Sequence, residues 1–476
     1  MNSDIKKEKT MGWFDCSALI VGIMLGTGIF VVFPKLAAAQ NPSVFMIILS
    51  WFMGAFIAWC GAMCFAELAS IFPQNGGDYV YLREGFKMID RDTPVSFLFA
   101  WAQIFIIRPA SLVSLAIVLA MNCNILIRDF FGASKSMLNL FLTLISLGSI
   151  GIFTLISMRG ITLSKWTQNI LSILKMLCLS ILLIFGFIYG AGLIKNLKPL
   201  FFLSKTFENG NFIPVEGFPL SVYVKHIWMS LIPIMWVFGG WNEAPYIAGE
   251  MKNPTINIPK GLTLGIISLS ILYLLTNLVY MLHLGPEGLA QCWTPASDLM
   301  KIWFGPKGEI LMASLIIISS SGAINGLIFT GGRMTISFAD DFLPFRFLLR
   351  THPRYHTPMA ALLFNAIMAF IIAFAVECKA DSIDKLLTFT SGVVWIFFAM
   401  VVVAVLIFRK RLKNKDIPFK VPFYPFTPIL FLIMCMLMIW GALEYDKAKT
   451  LWGIGVLVTG IPVYYLTSTS FKIQKD

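Results

Sequence analysis

Charge is what this chain has least of. Only 13% of its 476 residues are Asp, Glu, Lys or Arg, against about 25% in an ordinary soluble domain. With 58% hydrophobic and 14% aromatic residues, a water-soluble protein of this length has no way to hide so much apolar surface. The formal charge of +12 has no basic cluster interleaved with polar and aromatic residues in a water-soluble segment, so nucleic acid is not an expected partner. Enzyme signatures are missing too: there is no phosphate loop, no nucleophile elbow and no paired metal spacing. The four histidines (His226, His283, His352, His356) lie near expected helix ends. The eight cysteines are scattered singly, and only Cys60 and Cys64 are close, at a spacing that puts both on one helix face. That is too few ligands for a metal site, so all are read as reduced and structural, with no cofactor expected. The charged N-terminal tail and the lack of a small-residue cleavage site argue against a removable signal peptide.

What is present is a series of long apolar runs. Stretches of about 20 residues, enough to cross a bilayer, fall near 12–37, 43–70, 94–125, 136–158, 166–190, 226–250, 261–283, 308–338, 358–377, 386–408, 424–442 and 450–468. The expectation is an all-α polytopic membrane protein with twelve transmembrane helices, embedded in the lipid bilayer as a single domain over residues 1–476. An even number of spans puts both termini on one side. The loops on that side hold more Lys and Arg, among them Lys6, Lys7, Lys9, Arg83, Lys87, Arg346, Arg350, Arg354 and the run from Arg409 to Lys415. By the positive-inside rule both termini are cytoplasmic, and the expected location is the plasma membrane (the inner membrane in a bacterium).

Two spans are interrupted. Trp236-Val-Phe-Gly-Gly-Trp-Asn-Glu-Ala-Pro245 places two adjacent glycines, an Asn, a Glu and a Pro where a span should run on in Leu and Ile. Gly costs about 1 kcal/mol and Pro about 3 in a helix interior, and freed backbone at membrane depth is tolerated only where it is buried in protein or lines a cavity. Gly22-Ile-Met-Leu-Gly26-Thr27-Gly28-Ile29-Phe30 interrupts the first span in the same manner. Spans one and six are therefore discontinuous, and if spans one to five (11–190) and six to ten (225–408) are repeats, the breaks are equivalent. Five is odd, so the repeats are inverted, with spans eleven and twelve and a tail (409–476) outside them. Paired breaks of this kind point to a transporter's binding site.

Each break leaves free amides on one half-helix and free carbonyls on the other, which suits an amino acid zwitterion. Gly26, Thr27, Gly28 and Ile29 are the candidate carboxylate site; Trp236, Val237 and Gly239 are the candidate ammonium site. Lys175 lies about 13 Å into span five at 1.5 Å per residue, a depth at which an ionisable group is a functional hypothesis. Its ammonium either fills the place of a coupling cation or titrates, with protons as the coupled ion; the alternative is a structural Lys tied to carbonyls or hydroxyls, with Ser320 and Ser321 as expected partners. Arg108 is expected to brace helix packing through carbonyls rather than touch substrate. Glu243 either senses a substrate amine or a proton, or caps the new half-helix. Asn242 is a candidate orienting group, and Trp236 and Trp395 are candidate gate or pocket rings, with plain packing as the alternative.

These motifs carry a resemblance. Gly26-Thr-Gly28-Ile-Phe, Glu67 with Phe72-Pro-Gln-Asn-Gly-Gly-Asp-Tyr79, Phe238-Gly-Gly-Trp-Asn242, and Gly249-Glu-Met-Lys-Asn-Pro254 with Ile258-Pro259 resemble the amino acid–polyamine–organocation superfamily. Ile106-Ile-Arg-Pro109, Lys175 seven residues after Gln168, and Asn325-Gly-Leu-Ile-Phe-Thr330 leading to Arg333 resemble its L-type amino acid transporter branch and bacterial relatives. The resemblance implies a secondary transporter of L-amino acids working by alternating access, as an exchanger or a proton symporter. It implies carboxylate binding at Thr27, Gly28 and Ile29, ammonium binding near Trp236, Val237 and Gly239 with Trp236 as gate, and a Lys175 that stands in for a sodium site. The Cys by which eukaryotic members bond a heavy chain has no counterpart in Asp129–Ser134, so no disulfide-linked heavy chain is expected. Members with acidic substrates place an Arg where this chain has Val394, which favours a neutral substrate; Glu243 keeps cationic amino acids or polyamines open. An amino acid-sensing receptor or a channel is the alternative from another class.

Overall fold

Apolar helices dominate because, at membrane depth, only internally bonded backbone is stable. The structure, a computed structural model, describes residues 9–26, 28–30, 43–90, 93–131, 135–197, 205–208, 211–214, 220–292, 294–379, 382–412 and 417–472. Among them, nine helices are long and apolar enough to cross a membrane, and two shorter apolar helices, Trp13–Met24 and Met359–Ala375, occupy expected spans one and nine. The first half runs α1 (Trp13–Met24), α2 (Val44–Ile71), the short α3 (Asp78–Lys87), α4 (Val95–Ala102), α5 (Arg108–Phe131), α6 (Lys135–Met158) and α7 (Ile161–Gly190). The second runs α8 (Leu220–Val237), α9 (Pro254–Gln291), α10 (Pro295–Phe304), α11 (Pro306–Asp341), α12 (Met359–Ala375) and α13 (Ser382–Arg411). Helices α14 (Phe426–Tyr445), α15 (Lys447–Val458) and α16 (Gly460–Lys472) follow. One addition to the helical expectation is a small antiparallel hairpin, Lys205–Glu208 with Asn211–Pro214, in the loop before α8.

Three interruptions shape the helices. Helix α1 stops at Met24 and resumes only as a single 3-10 turn, Gly28–Phe30. Helix α8 stops at Val237, and after Gly240 the chain continues as a 3-10 helix, Trp241–Glu250. Between α4 and α5 the helix widens into a π segment, Gln103–Ile107. Its cause is local: Pro109 has no N–H and its ring clashes with the carbonyl four residues back, so the turn before it opens and Arg108 leaves the bulge. Helix α1 lies among α7, α9, α11 and the Trp241–Glu250 segment, and α2 packs along α9. Lipid tails are as apolar as Leu, so close packing and polar contacts, not water exclusion, hold such helices together.

Candidate functional site

The two breaks meet. Gly240 has φ +110° and a side chain there would lie 2.7 Å from Ile23 Cγ2 of α1. Only glycine adopts that backbone readily, and only glycine lets the second break rest on the end of α1. Gly26 N–H turns back onto the Met24 carbonyl at 2.7 Å, and Gly239 N–H onto that of Trp236 at 3.1 Å. The Gly28 amide and the Val237 and Gly239 carbonyls take no hydrogen bond among the described residues. Expected ammonium acceptors Val237 and Gly239 are thus unspent, whereas the Trp236 carbonyl closes a turn. Thr27 lies outside the described residues. Ile29 is buried, and the Tyr280 hydroxyl donates to its carbonyl at 3.2 Å.

Lys175 joins the first break to two other helices. Its ammonium donates to the Gly22 carbonyl at 2.7 Å, to Leu25 at 3.0 Å and to Ser319 of α11 at 3.0 Å. The Ser319 hydroxyl adds bonds to Leu25 at 2.5 Å and Gly26 at 3.2 Å, and Tyr273 of α9 donates to Met24 at 2.9 Å. Every carbonyl from Met24 to Gly26, freed where α1 unwinds, is therefore taken up by a side chain. The expected partners of Lys175 need correction: Ser320 bonds the Ile316 carbonyl of its own helix, Ser321 is only partly buried, and Ser319 does the work. One residue along a helix is a rotation of about 100°. The face that matters carries Ser319, Gly322 and Gly326; a side chain at Gly322 would come 2.9 Å from Lys175 Nζ, and one at Gly326 2.5 Å from Ile23 Cγ1. That stripe of small residues was the signal in the sequence.

Glu243 neither caps a helix nor stands free. Its side chain is 8% exposed and pairs with Arg108, 2% exposed, whose Nη2 lies 3.2 and 3.1 Å from the two carboxylate oxygens. Arg108 Nη1 also donates to the Leu327 carbonyl at 2.7 Å and to the Thr330 hydroxyl at 3.1 Å, and that hydroxyl in turn donates to Glu243. The carbonyl bracing expected of Arg108 is present, but the larger contact is the ion pair. The guanidinium sits 5.6 Å from the centre of the Tyr246 ring, whose hydroxyl donates to Asp78 at 3.2 Å. Asp78 is fully buried at the start of α3, outside the spans; burial, and then the charge of Glu243, pushes its carboxyl well above the ordinary carboxylate range.

Of the remaining candidates, Asn242 is buried and makes no hydrogen bond among the described residues, so it is a free polar group beside the break. Trp236 is half-buried. Trp395 is packed edge-on to Phe398 at 5.4 Å in a cluster with Phe431, and Trp241 meets Phe65 at 4.9 Å in the same cluster. No group of three potential metal ligands occurs among the described residues. Beyond the breaks, toward the start of α1, the helices are tied together. Met11 bridges Met251, Arg333 pairs with Glu250 at 3.0 Å, and Asn169 donates to Asp15 at 2.8 Å. Arg409 holds Glu67 through two bonds of 2.7 and 2.6 Å.

The chain matches the family described as "Amino acid permease" over residues 11–464. It is 26% identical over 465 residues to "b(0,+)-type amino acid transporter 1" of Mus musculus, covering 96% of this chain and 88% of that protein. It is 25% identical over 469 residues to "Serine/threonine exchanger SteT" of Bacillus subtilis, covering 98% and 97%. A third similar protein is the human "Cystine/glutamate transporter", 27% identical over 455 residues, 94% of this chain and 83% of that one.

Proposed function

Because the chain belongs to the amino acid permease family, a family of amino acid transporters rather than enzymes, we propose that it carries neutral L-amino acids by alternating access, as an exchanger. It is a multi-pass membrane protein and an amino acid transporter. The observation that carries the finer reading is the contact between the two breaks, where the Gly28 amide and the Val237 and Gly239 carbonyls have no hydrogen-bond partner among the described residues. A zwitterion needs donors and acceptors of this kind side by side. We take Gly26, Thr27, Gly28 and Ile29 for the carboxylate, Val237 and Gly239 with Trp236 for the ammonium, and Trp236, Asn242 and Trp395 as lining groups.

Neutrality is supported by charge accounting. Glu243 is neutralised by Arg108 and Lys175 is occupied by carbonyls, so neither break carries an uncommitted charge to meet a cationic or acidic side chain. Lys175 then acts as a built-in cation that ties α1 to α7 and α11 in this state. Protons, exchanged through Lys175, are the second reading of the coupling. We further take residues 11–190 and 225–408 as inverted repeats, both termini as cytoplasmic, the plasma membrane as the location, and a disulfide-linked heavy chain as absent. The test is counterflow in proteoliposomes with each of the twenty amino acids at two pH values. Neutral amino acids loaded inside are expected to accelerate uptake. Uptake without such trans-stimulation would indicate a channel, binding without uptake a receptor, and stimulation confined to arginine, lysine or polyamines would overturn neutrality.

A further inference from the structure

An open, groove-like cavity lies at the end of the molecule that holds Thr10. It has a volume of about 650 Å³ and is lined by Thr10, the loop and first turn from Arg159 to Leu163, Trp166, and the loop Arg354–His356. No carboxylate is among its lining residues. Arg159 and Arg354 have no acidic partner among the described residues; Arg354 only stacks on Tyr355 at 5.5 Å. Between them begins α7, whose N-cap, Gly160, offers no side chain to its first amides. The exposed side chains of Arg159 and Arg354 and an uncapped helix N-terminus line one hollow that has no carboxylate among its described lining residues.

The walls are held in place. The Thr357 hydroxyl donates to the Met158 carbonyl at 2.6 Å, which pins the 350s loop to the end of α6. Within that loop His352 Nδ1 accepts from Arg354 N–H at 3.2 Å and Tyr355 N–H at 3.3 Å, and its own N–H donates to the Thr357 carbonyl at 2.8 Å. The outer wall is apolar: Leu163, Trp166 and Ile170 are 44, 58 and 59% exposed and follow one another at helical spacing down α7. A Trp at the level of the headgroups with aliphatic residues beneath it is a membrane-interface arrangement.

We propose that this cavity binds an anionic phospholipid, with the phosphodiester between Arg159, Arg354 and the first amides of α7, and an acyl chain along Trp166, Leu163 and Ile170. Charge complementarity selects the headgroup, since two guanidiniums without an acidic partner among the described residues favour a net-negative lipid over a zwitterionic one. The apolar stripe continuing from the cavity selects a lipid over a free phosphate.

The test is native mass spectrometry of the detergent-solubilised full chain, titrated with phosphatidylglycerol or phosphatidylcholine. One phosphatidylglycerol is expected to be retained in preference to phosphatidylcholine. Arg159→Ala/Arg354→Ala is expected to weaken that site about thirty-fold, from a few-fold per cationic side chain at a membrane surface. Arg159→Lys/Arg354→Lys is expected to keep most of the binding, which separates lost charge from lost folding, and Lys87→Ala/Arg346→Ala, on the same end but outside the cavity, is expected to change nothing. Unchanged affinity in the double alanine variant, equal retention of phosphatidylcholine, or displacement of the lipid by inorganic phosphate would each overturn the proposal.

Discussion

Removing either member of the Arg108–Glu243 pair is expected to destabilise the protein far more than removing both. In Glu243→Gln the guanidinium stays buried, 2% exposed, with neutral acceptors (the new amide oxygen, the Leu327 carbonyl and the Thr330 hydroxyl) but no paired carboxylate. In Arg108→Met the carboxylate is left with the Thr330 hydroxyl alone. Breaking a buried pair from one side costs roughly 3–5 kcal/mol, because the survivor is an uncompensated charge, whereas replacing both partners by neutral groups of similar volume is often close to neutral. Independent single effects would therefore sum to about 6–10 kcal/mol, and the double variant Arg108→Met/Glu243→Gln, itself close to neutral, should fall short of that sum by most of those 6–10 kcal/mol. The assay is a double-mutant cycle on thermal unfolding in detergent, run with counterflow on the same four proteins. Additivity within about 0.5 kcal/mol, the value expected of independent sites, would refute the pairing. So would a Glu243→Gln protein that unfolds like the wild type but exchanges a different set of amino acids, because Glu243 would then face substrate rather than Arg108.

Two further outcomes follow from the same geometry. Lys175→Ala leaves the Gly22 carbonyl without a partner, at about 1–3 kcal/mol, and frees the end of α1; counterflow is expected to be largely lost while the protein still elutes as a folded species. Ser319→Ala should impair counterflow in the same direction and Ser320→Ala should not, and equal effects of the two serines would undo the assignment of Ser319 to the break. Asp78 titrates in the opposite sense to a paired carboxylate. With its native value raised by burial and by the charge of Glu243, against smaller relief from the Tyr246 hydroxyl and Arg108, its stabilising contribution is complete below the unfolded value of about 4 and is lost as pH rises through the native one. Asp78→Asn should then flatten the fall of the melting temperature as pH rises above the unfolded value of about 4 and stabilise the protein at the alkaline end. An unaltered slope would assign that pH dependence to other groups.

Local pattern and tertiary pairing divided the information between them. The membrane class, the places where spans one and six break, and the depth of Lys175 were legible in the sequence, because hydropathy, glycine and proline act over a turn or two of chain. The partners were not. Ser319 and Ser320 are neighbours of equal chemistry, and only the rotation of α11 against α1 decides which hydroxyl reaches Leu25. Glu243 beside its break looked like a free acid or a cap, because Arg108 lies 135 residues earlier and reaches it from the start of α5, just past a π segment. The lipid cavity likewise exists only where the end of α6 meets the loop before α12 through Thr357 and Met158. The sequence by itself determined that backbone would be exposed inside the membrane, since glycine and proline cannot sustain a helix there. Tertiary structure alone decided which charges remained available to a substrate, because a buried ionisable group must find its counter-charge wherever the packing of other helices has put it.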